Sequence, residues 1–410
     1  MPYYRLIALV LLVNGALLGW HLASGDWHVA GQTALSGLAS QMVVNFAIAV
    51  LIRQQLVLNV IFALAGRGSS RWPLRLRRTI SKAYHIGGLH VGAALAGTAW
   101  LCGFSVVAAV GFARRPAAAD LTTFALAMAL TGVLVIVAIG ALPPVRARFH
   151  NVFELTHRFG GWASVGLFWA LTVHLLHADV GAWQVWLLGL ITASIAWPWL
   201  WLRRVPVTVE RPSAHAVILH LDYGVTPEHV TGVGISRSPL REWHTFATVS
   251  TQGQSGYRLL VSRAGDWTSR LIDDPPDRLW VRGVPTRAPI PAIEVMYRRV
   301  VYVATGSGIG PMLGLILNSP VPSRLVWSTR SPRATYGDAL VDEVLTAHPD
   351  ALIWDTSVRG KPDLLPMTQG VCRDFAAEAV LVVSNKITTS RLVHGLEQRG
   401  VPAFGPIWDS

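Results

Sequence analysis

A glycine-rich run and the residues after the strand that follows it, in the second half of this 410-residue chain, are of types suited to a nucleotide, and histidines in the first half carry donors suited to a metal. Gly306-Ser307-Gly308-Ile309-Gly310-Pro311 directly follows the apolar run Val300–Ala304 and precedes an apolar helix that begins at Met312. Glycines between a strand and a helix leave backbone N–H groups facing outward, and the helix N-terminus adds positive potential, so the loop suits a dinucleotide pyrophosphate. Ser328, Arg330 and Arg333 follow the next strand and suit the adenosine ribose and a 2′-phosphate, or else a solvated surface. Eight of the fourteen histidines precede residue 203. His85 and His90 lie on the third apolar segment of the chain; His150, His157, His174 and His177 lie on or beside the fifth. Ionisable groups inside a bilayer are costly and hence functional candidates, and two facing helices can offer a pair of neutral imidazoles to a haem iron. The plainer alternative is interfacial histidines bonded to headgroups or water. His150, Glu154 and His157 also share one helical face at i, i+4 and i+7. That face suits a metal, or a polar surface with Glu154 paired to an arginine.

The elements that must position these residues follow from composition. Hydrophobic residues make up 52% of the chain and charged residues 14%, against about 25% charged in an average soluble domain. Six apolar segments precede residue 203: Leu6–Ala23, Leu35–Ile52, His85–Phe104, Leu121–Ala141, Leu155–Leu176 and Ala182–Leu202. Each is near the roughly 20 residues a spanning helix needs. Gln54–Ala65 is apolar but short, and reads as an interfacial or re-entrant piece. The first segment reads as a span rather than a cleaved leader, since its apolar run is long and no small-x-small site follows. Up to Leu202 the chain holds 13 basic and 4 acidic residues, and beyond it 22 and 19. The positive excess therefore sits in the apolar half, as in a membrane domain with basic cytoplasmic loops, and not on one soluble face as in a nucleic-acid binder. The arginine-rich loop after the second segment, Arg146 and Arg148 after the fourth, and Arg203 and Arg204 after the sixth place the N-terminus and the whole second half in the cytoplasm. Two distant cysteines, Cys102 and Cys372, leave no disulfide framework and no cysteine-based zinc site.

From Val205 the pattern changes to short alternating strands at Val205–Val209, His215–Leu221, Phe246–Ser250 and Tyr257–Ser262, which suggests a small antiparallel barrel. From about Tyr297 strands alternate with helices, which implies a parallel sheet with crossovers. The expected fold is a six-span α-helical membrane bundle over 1–204, a small antiparallel β-barrel over 205–292 and a parallel-sheet α/β domain over 293–410.

Glu242-Trp243-His244-Thr245-Phe246 resembles the flavin-binding His-Pro-Phe strand of NADPH oxidases and ferric reductases. Gly265-Asp266-Trp267-Thr268 resembles the Gly-Asp-Trp-Thr of the same superfamily, and Gly306–Pro311 resembles its pyridine-nucleotide loop. The three occur in the superfamily's order, after a six-helix domain with histidines on its third and fifth helices, so the resemblance covers nearly the whole chain. Within it, Thr156–Trp162 and the ending Pro406-Ile407-Trp408-Asp409 look like the integral membrane protein TmpA group. The resemblance implies FAD bound by His244 at its phosphates or ribityl chain, by Phe246 against the isoalloxazine, and by Gly265 and Thr268 at the pyrophosphate helix. It implies NADPH (or NADH) cradled by Gly306, Gly308 and Gly310, with Ser328 and Arg330 at the adenosine end and Trp408 near the chain's close. It also implies metal-ligating histidines among His85, His90, His157 and His174, here enough for at most one haem b, because Ala99 stands 14 residues beyond His85 where the superfamily has a second histidine.

Other departures are Ala247 in place of the usual Ser or Thr, Gly283-Val284-Pro285 in place of a longer glycine run, and Ser384-Asn385-Lys386 in place of Cys-Gly-Pro. The activity expected is a membrane flavin oxidoreductase carrying electrons from NAD(P)H through FAD to a haem or to an acceptor the sequence does not identify. Membrane lipid and a nicotinamide nucleotide are its partners, and nucleic acid is not. The alternative is a flavin-binding membrane sensor without haem and with little turnover.

Overall fold

A computed structural model describes the chain except residues 1, 26–27, 30–31, 34, 115–117, 177–178, 229, 251–254 and 407–410, and describes only the backbone of 28–29, 32–33 and 118–120. The described residues form two compact units, one of 1–57 with 85–200 and one of 58–84 with 201–410.

The first unit is helical. It contains α1 (Pro2–Ser24), α2 (Leu35–Leu51), the start of α3 (Gln55–Ala65), α5 (Gly87–Arg114), α6 (Ala118–Ala141), a short α7 (Pro143–Arg148), α8 (His150–Leu176) and α9 (Trp183–Leu200); α4 (Leu74–Ile80) belongs to the second unit. All six apolar segments are therefore helices. The third begins at Gly87, so His85 lies not on it but in the 3-10 turn Ser81–Ile86 before it. Small residues let α1 and α5 approach: a Cβ on Gly88 would collide with the Tyr3 carbonyl, and one on Gly92 would stand 3.0 Å from Val10. A polar knot ties α1, α2 and α5. Asn14 and Asn45 exchange amide hydrogen bonds at 3.1 and 2.8 Å, and Trp100 Nε1 donates to Asn14 Oδ1 at 2.7 Å.

The outward faces remain apolar, with Leu12 71% and Trp186 72% exposed. Among the described residues four helical stretches are long and apolar enough to cross a membrane: Pro2–Ser24, Leu74–Arg114, Leu121–Ala141 and His150–Leu176. A fifth is added if α2 and α3, bent by 65° at their junction, count as one broken span. The sixth expected segment, Trp183–Leu200, is helical but is not in that set.

The second unit begins its barrel at β1 (Leu202–Glu210), followed by β2 (Ala216–Leu221), β3 (Thr231–Ser236), β4 (His244–Ala247), β5 (Tyr257–Ser262), α10 (Asp266–Asp273) and β6 (Arg278–Arg282). The antiparallel order is β4-β3-β6-β1-β2-β5. A bridge between Val249 and Arg258 brings the end of β4 back to β5 and nearly closes the sheet. Val205, Val217, Leu219, Val233, Ile235 and Leu259 point inward, alternating with outward residues as the pleat demands, and α10 inserts Trp267 and Leu271 among them.

After α11 (Pro289–Glu294) comes a parallel sheet built from β7 (Val300–Thr305), α12 (Ile309–Asn318), β8 (Ser323–Thr329), α13 (Pro332–Tyr336), α14 (Asp338–Ala347), β9 (Leu352–Asp355), α15 (Thr356–Arg359), α16 (Leu364–Phe375), β10 (Ala379–Val383), α17 (Lys386–Gln398) and β11 (Ala403–Phe404). Its order is β9-β8-β7-β10-β11. The chain steps from β7 toward β8 and β9, then returns to the other side of β7 for β10. This makes a topological switch point at the carboxyl ends of β7 and β10, the usual ligand crevice of open α/β sheets. Helix α12 shares one apolar cluster with the barrel, where Ile309, Met312 and Leu313 meet Val230, Ala247 and Leu260.

Residues 58–84 pack on this second unit. Asn59 donates to the Pro285 carbonyl at 3.1 Å and accepts from the Arg287 N–H at 2.7 Å. Arg77 pairs with Glu378 at 2.9 Å and lies over the Tyr297 ring.

Candidate functional site

On the barrel side, β4 pairs with β3 so that Phe246 stands opposite Val233 and His244 opposite Ile235. Residues directly opposite share a face, so both aromatic side chains lie on the inward face. The His244 and Trp267 rings stack 4.2 Å apart at 30°, and the Phe246 and Trp267 rings lie 6.2 Å apart at 26°. The opposite face of β4 carries exposed Thr245 and buried Ala247, the latter within the cluster shared with α12. Thr248 offers no substitute hydroxyl. Its Oγ1 accepts from the Thr231 N–H at 3.1 Å and donates to the Glu228 carbonyl at 3.1 Å.

Helix α10 has a capped start. Thr268 Oγ1 accepts from the N–H groups of Ala264 and Gly265 at 2.9 and 3.0 Å, which fixes the turn before the helix. A Cβ on Gly265 would meet nothing within 4 Å. Open space therefore lies against a helix N-terminus, which is where an anion is favoured.

On the nucleotide side, Gly306 adopts a left-handed φ of +48° with open space beyond it, a conformation glycine takes without strain. A Cβ on Gly308 would collide with the Val383 carbonyl of β10, and one on Gly310 would stand 3.3 Å from the Leu260 carbonyl of β5. The three glycines thus do different things: one opens the loop, one lets the loop approach β10, and one lets α12 approach the barrel. Trp327, fully buried, donates from Nε1 to the Gly306 carbonyl at 3.2 Å and holds the loop. Thr305 and Ser384 join by their hydroxyls across the switch point.

Ser328 is buried at the end of β8, level with Thr305, and Arg330 is exposed just beyond it. Arg333 is committed elsewhere, to Asp338 at 2.9 Å and Asp342 at 2.7 Å. The turn that carries Arg330 is organised by Asp355. Its Oδ1 accepts from Ser357 Oγ at 2.6 Å, Ser357 N–H at 2.8 Å and Ser331 N–H at 2.9 Å, and the first two residues' hydrogen bonds hold the carboxyl below the usual range. These bonds fix Ser331 at a left-handed φ of +40°, unusual for a non-glycine residue. Trp327 and Asp355 are supporting residues that the sequence did not single out, because each acts on a partner more than 20 residues away. Trp408 lies outside the described residues.

Two of the four candidate metal-ligating histidines come together. The His90 and His157 rings, on α5 and α8, are 6.3 Å apart at 49°. His90 Nδ1 lies 2.7 Å from the Ala49 carbonyl, which leaves Nε2 as the atom able to ligate. Phe153 flanks His157 at 5.4 Å. His174 bonds Thr123 Oγ1 at 3.1 Å, and His85 stays in its 3-10 turn. Glu154 pairs with Arg158, so the His150–Glu154–His157 face is a polar surface, and among the described residues no group of three or more His, Cys, Asp or Glu could hold a metal.

Comparison with known proteins places these features beside named relatives. Residues 290–410 match the family described as Adenylate-forming reductase 03009, C-terminal domain. The chain is 42% identical over 419 residues to adenylate-forming reductase 03009 of Coprinopsis cinerea, and 41% identical over 419 residues to adenylate-forming reductase 06235 of the same organism. Both alignments take in 100% of this chain but 40% of the relative, so the chain spans about two fifths of the length of these curated relatives. Among solved structures, the ferredoxin reductase in carbazole 1,9a-dioxygenase superposes with a TM-score of 0.39 at 13% identity, over 50% of this chain and 69% of that one. The Amycolatopsis cytochrome P450 reductase GcoB gives 0.38 at 17%, over 50% and 70%.

Proposed function

We propose that this chain is a membrane-bound flavin oxidoreductase that takes electrons from NAD(P)H and passes them through FAD to a haem in the helical unit or to another acceptor. The observation that carries this reading is the pair of cradles in the second unit: the open, glycine-lined turn at Gly265 and the open, left-handed Gly306 at the switch point. The relatives' printed names, which denote reductases, support the same class of chemistry.

FAD, when bound, accepts a two-electron hydride and releases electrons singly. The chain's residues bind and orient. The backbone N–H groups at the start of α10 meet the flavin pyrophosphate, and Thr268 holds that turn in place. His244, stacked on Trp267, would hold the phosphate or ribityl portion, and Phe246, beside the same tryptophan, would flank the ring system. The Gly306–Gly310 loop takes the nicotinamide nucleotide's pyrophosphate, Ser328 its ribose, and Arg330 a 2′-phosphate, which favours NADPH over NADH. In the helical unit His90 and His157 are the pair that would hold a single haem, while His174 bonds the Thr123 hydroxyl. The apolar outward faces of that unit suit lipid, with the N-terminus and the second unit on the cytoplasmic side.

One observation favours a slower relative of this activity, a flavin-binding sensor. Neither Ala247 nor the committed Thr248 presents a free hydroxyl beside Phe246.

The test is flavin retention by the full chain. Thr268→Asp keeps an acceptor for the Ala264 and Gly265 N–H groups but puts a negative charge against the pyrophosphate, so the variant should purify with at least tenfold less FAD, whereas Thr268→Ser keeps it. Undiminished flavin in Thr268→Asp would show that the assigned cradle is wrong.

A further inference from the structure

Helix α3 and the stretch after it have two faces of different character. One face, which includes buried Phe62, is held by the second unit through Asn59 at the Pro285 and Arg287 backbone and through Gly68, where a Cβ would come 2.7 Å from Met296. On the other, Leu56, Val60 and Leu64 recur every four residues and are 45%, 57% and 56% exposed. At i, i+4 and i+8 they form one continuous apolar stripe. Past the end of α3 at Ala65, Arg67 and Arg71 in the connecting turns and Arg75 at the start of α4 are all exposed and without an ion pair among the described residues. Trp72, Leu74 and Leu76 are exposed between and beside them. The next two arginines behave differently: Arg77 pairs with Glu378, and Arg78 donates to the Gly400 carbonyl at 2.6 Å. The protein thus binds two arginines of this stretch to itself and leaves three facing outward beside an apolar stripe.

We propose that residues 55–76 form a platform lying on an anionic phospholipid surface. Leu56, Val60 and Leu64 enter the acyl boundary, Trp72 sits at headgroup level, and the three outward arginines meet lipid phosphates. The occupant is argued from charge complementarity and from the chain itself. Residues 55–76 contain no Asp or Glu, and the stripe is apolar along one side and basic at its end, as in helices that lie in the interfacial plane. In sequence the stretch joins two of the apolar helices. Its opposite face carries the nucleotide-binding unit, so the platform would fix that unit at the bilayer surface and make its seating depend on anionic lipid. The inference rests on the reading that the helical unit spans a membrane.

The experiment uses the full chain in lipid nanodiscs of pure phosphatidylcholine, and in discs in which one third of the lipid is phosphatidylserine, with amide hydrogen exchange read over residues 55–76. Each arginine near an anionic leaflet is worth roughly fivefold in partitioning, so three are worth about a hundredfold. The expected result is severalfold slower exchange in the phosphatidylserine discs. That difference should vanish in Arg67→Gln/Arg71→Gln/Arg75→Gln and at about 1 M salt, where the Debye length is about 3 Å. Exchange over Val300–Thr305 should stay the same throughout, which shows that the triple variant folds. Equal exchange in both lipids overturns the proposal and assigns the face to a protein neighbour. A lipid difference that survives the triple substitution overturns it as well. A chain that does not enter discs, and is washed from membranes by alkaline carbonate, removes the membrane reading and the proposal with it; a chain that enters discs without lipid-dependent protection removes the proposal alone.

Discussion

At the residue scale, Arg330 and Glu294 make separable claims. Arg330 is the exposed cation at the end of β8, its neighbour Arg333 being engaged by Asp338 and Asp342. Arg330→Ala should therefore weaken NADPH at least tenfold and NADH by less than about twofold, since only NADPH presents a 2′-phosphate and a hydrogen bond to a charged group is worth about 1.5–3 kcal/mol. Dissociation constants for the two nucleotides decide it, and equal losses would remove the stated preference. Glu294 is 2% exposed, accepts from the Tyr302 hydroxyl at 2.6 Å, and is pushed up to about 7 by burial. Its folded pKa lies above its unfolded one, so between roughly pH 4.5 and 7 the folded state holds a proton that the unfolded state has lost. Stability should fall across that window as pH rises, by on the order of 3 kcal/mol from this group alone. Glu294→Gln keeps the hydrogen bond without the titration, and its denaturant midpoint should fall less steeply than wild type between pH 5 and pH 7. Parallel pH profiles would show that Glu294 does not titrate there.

At the element scale, the parts of the sequence with one dominant signal were legible and the parts that depend on distant partners were not. The run Val300–Ala304 followed by Gly306–Gly310 reads as strand, loop and helix because apolar residues and glycines alternate in blocks, and β7, the loop and α12 stand there. Strand β3, Thr-Gly-Val-Gly-Ile-Ser over 231–236, carries a weak strand signal because two glycines interrupt its alternation, leaving Val233 and Ile235 as its only large inward residues. The roles of Trp327 and Asp355 were invisible for a different reason: their contacts exist only once the parallel sheet has formed. Gln54–Ala65 reads as an interfacial or re-entrant piece and the arginine-rich stretch after it as a loop between membrane segments, yet Asn59, Arg77 and Ser81 bind partners more than 200 residues away. Glycine substitutions test the packing directly. Gly308→Ala drives a Cβ into the Val383 carbonyl, which is backbone and cannot yield, and should destabilise the second unit by about 1–3 kcal/mol. Gly370→Ala, in α16 with nothing within 4 Å of the added Cβ, should stabilise by about 0.5–1 kcal/mol. Thermal unfolding of the two variants compares them, and a Gly308→Ala protein as stable as wild type would mean that the glycine loop does not approach β10 as described.

At the scale of the whole molecule, each unit supplies what the proposed electron path requires of it. The second unit joins a nearly closed barrel to a parallel sheet through one apolar cluster, so a flavin held by the barrel and a nucleotide held at the switch point would both lie within one compact unit. The first unit supplies apolar outward faces and, among the described residues, a close histidine pair, His90 with His157, where the proposed reading would place its single haem. Under the proposed reading, Ala247, standing where a hydroxyl is expected, is what would separate a working reductase from a flavin-binding relative with little turnover. Anaerobic titration of the FAD-loaded full chain with NADPH, followed by absorption, bears on this most directly. The expected result is bleaching of the oxidised-flavin bands by about one equivalent of NADPH, with the spectrum before reduction showing no more than one haem per chain. A chain that holds no flavin when FAD is supplied in excess, or whose bound flavin stays oxidised in the presence of NADPH, would contradict the oxidoreductase reading.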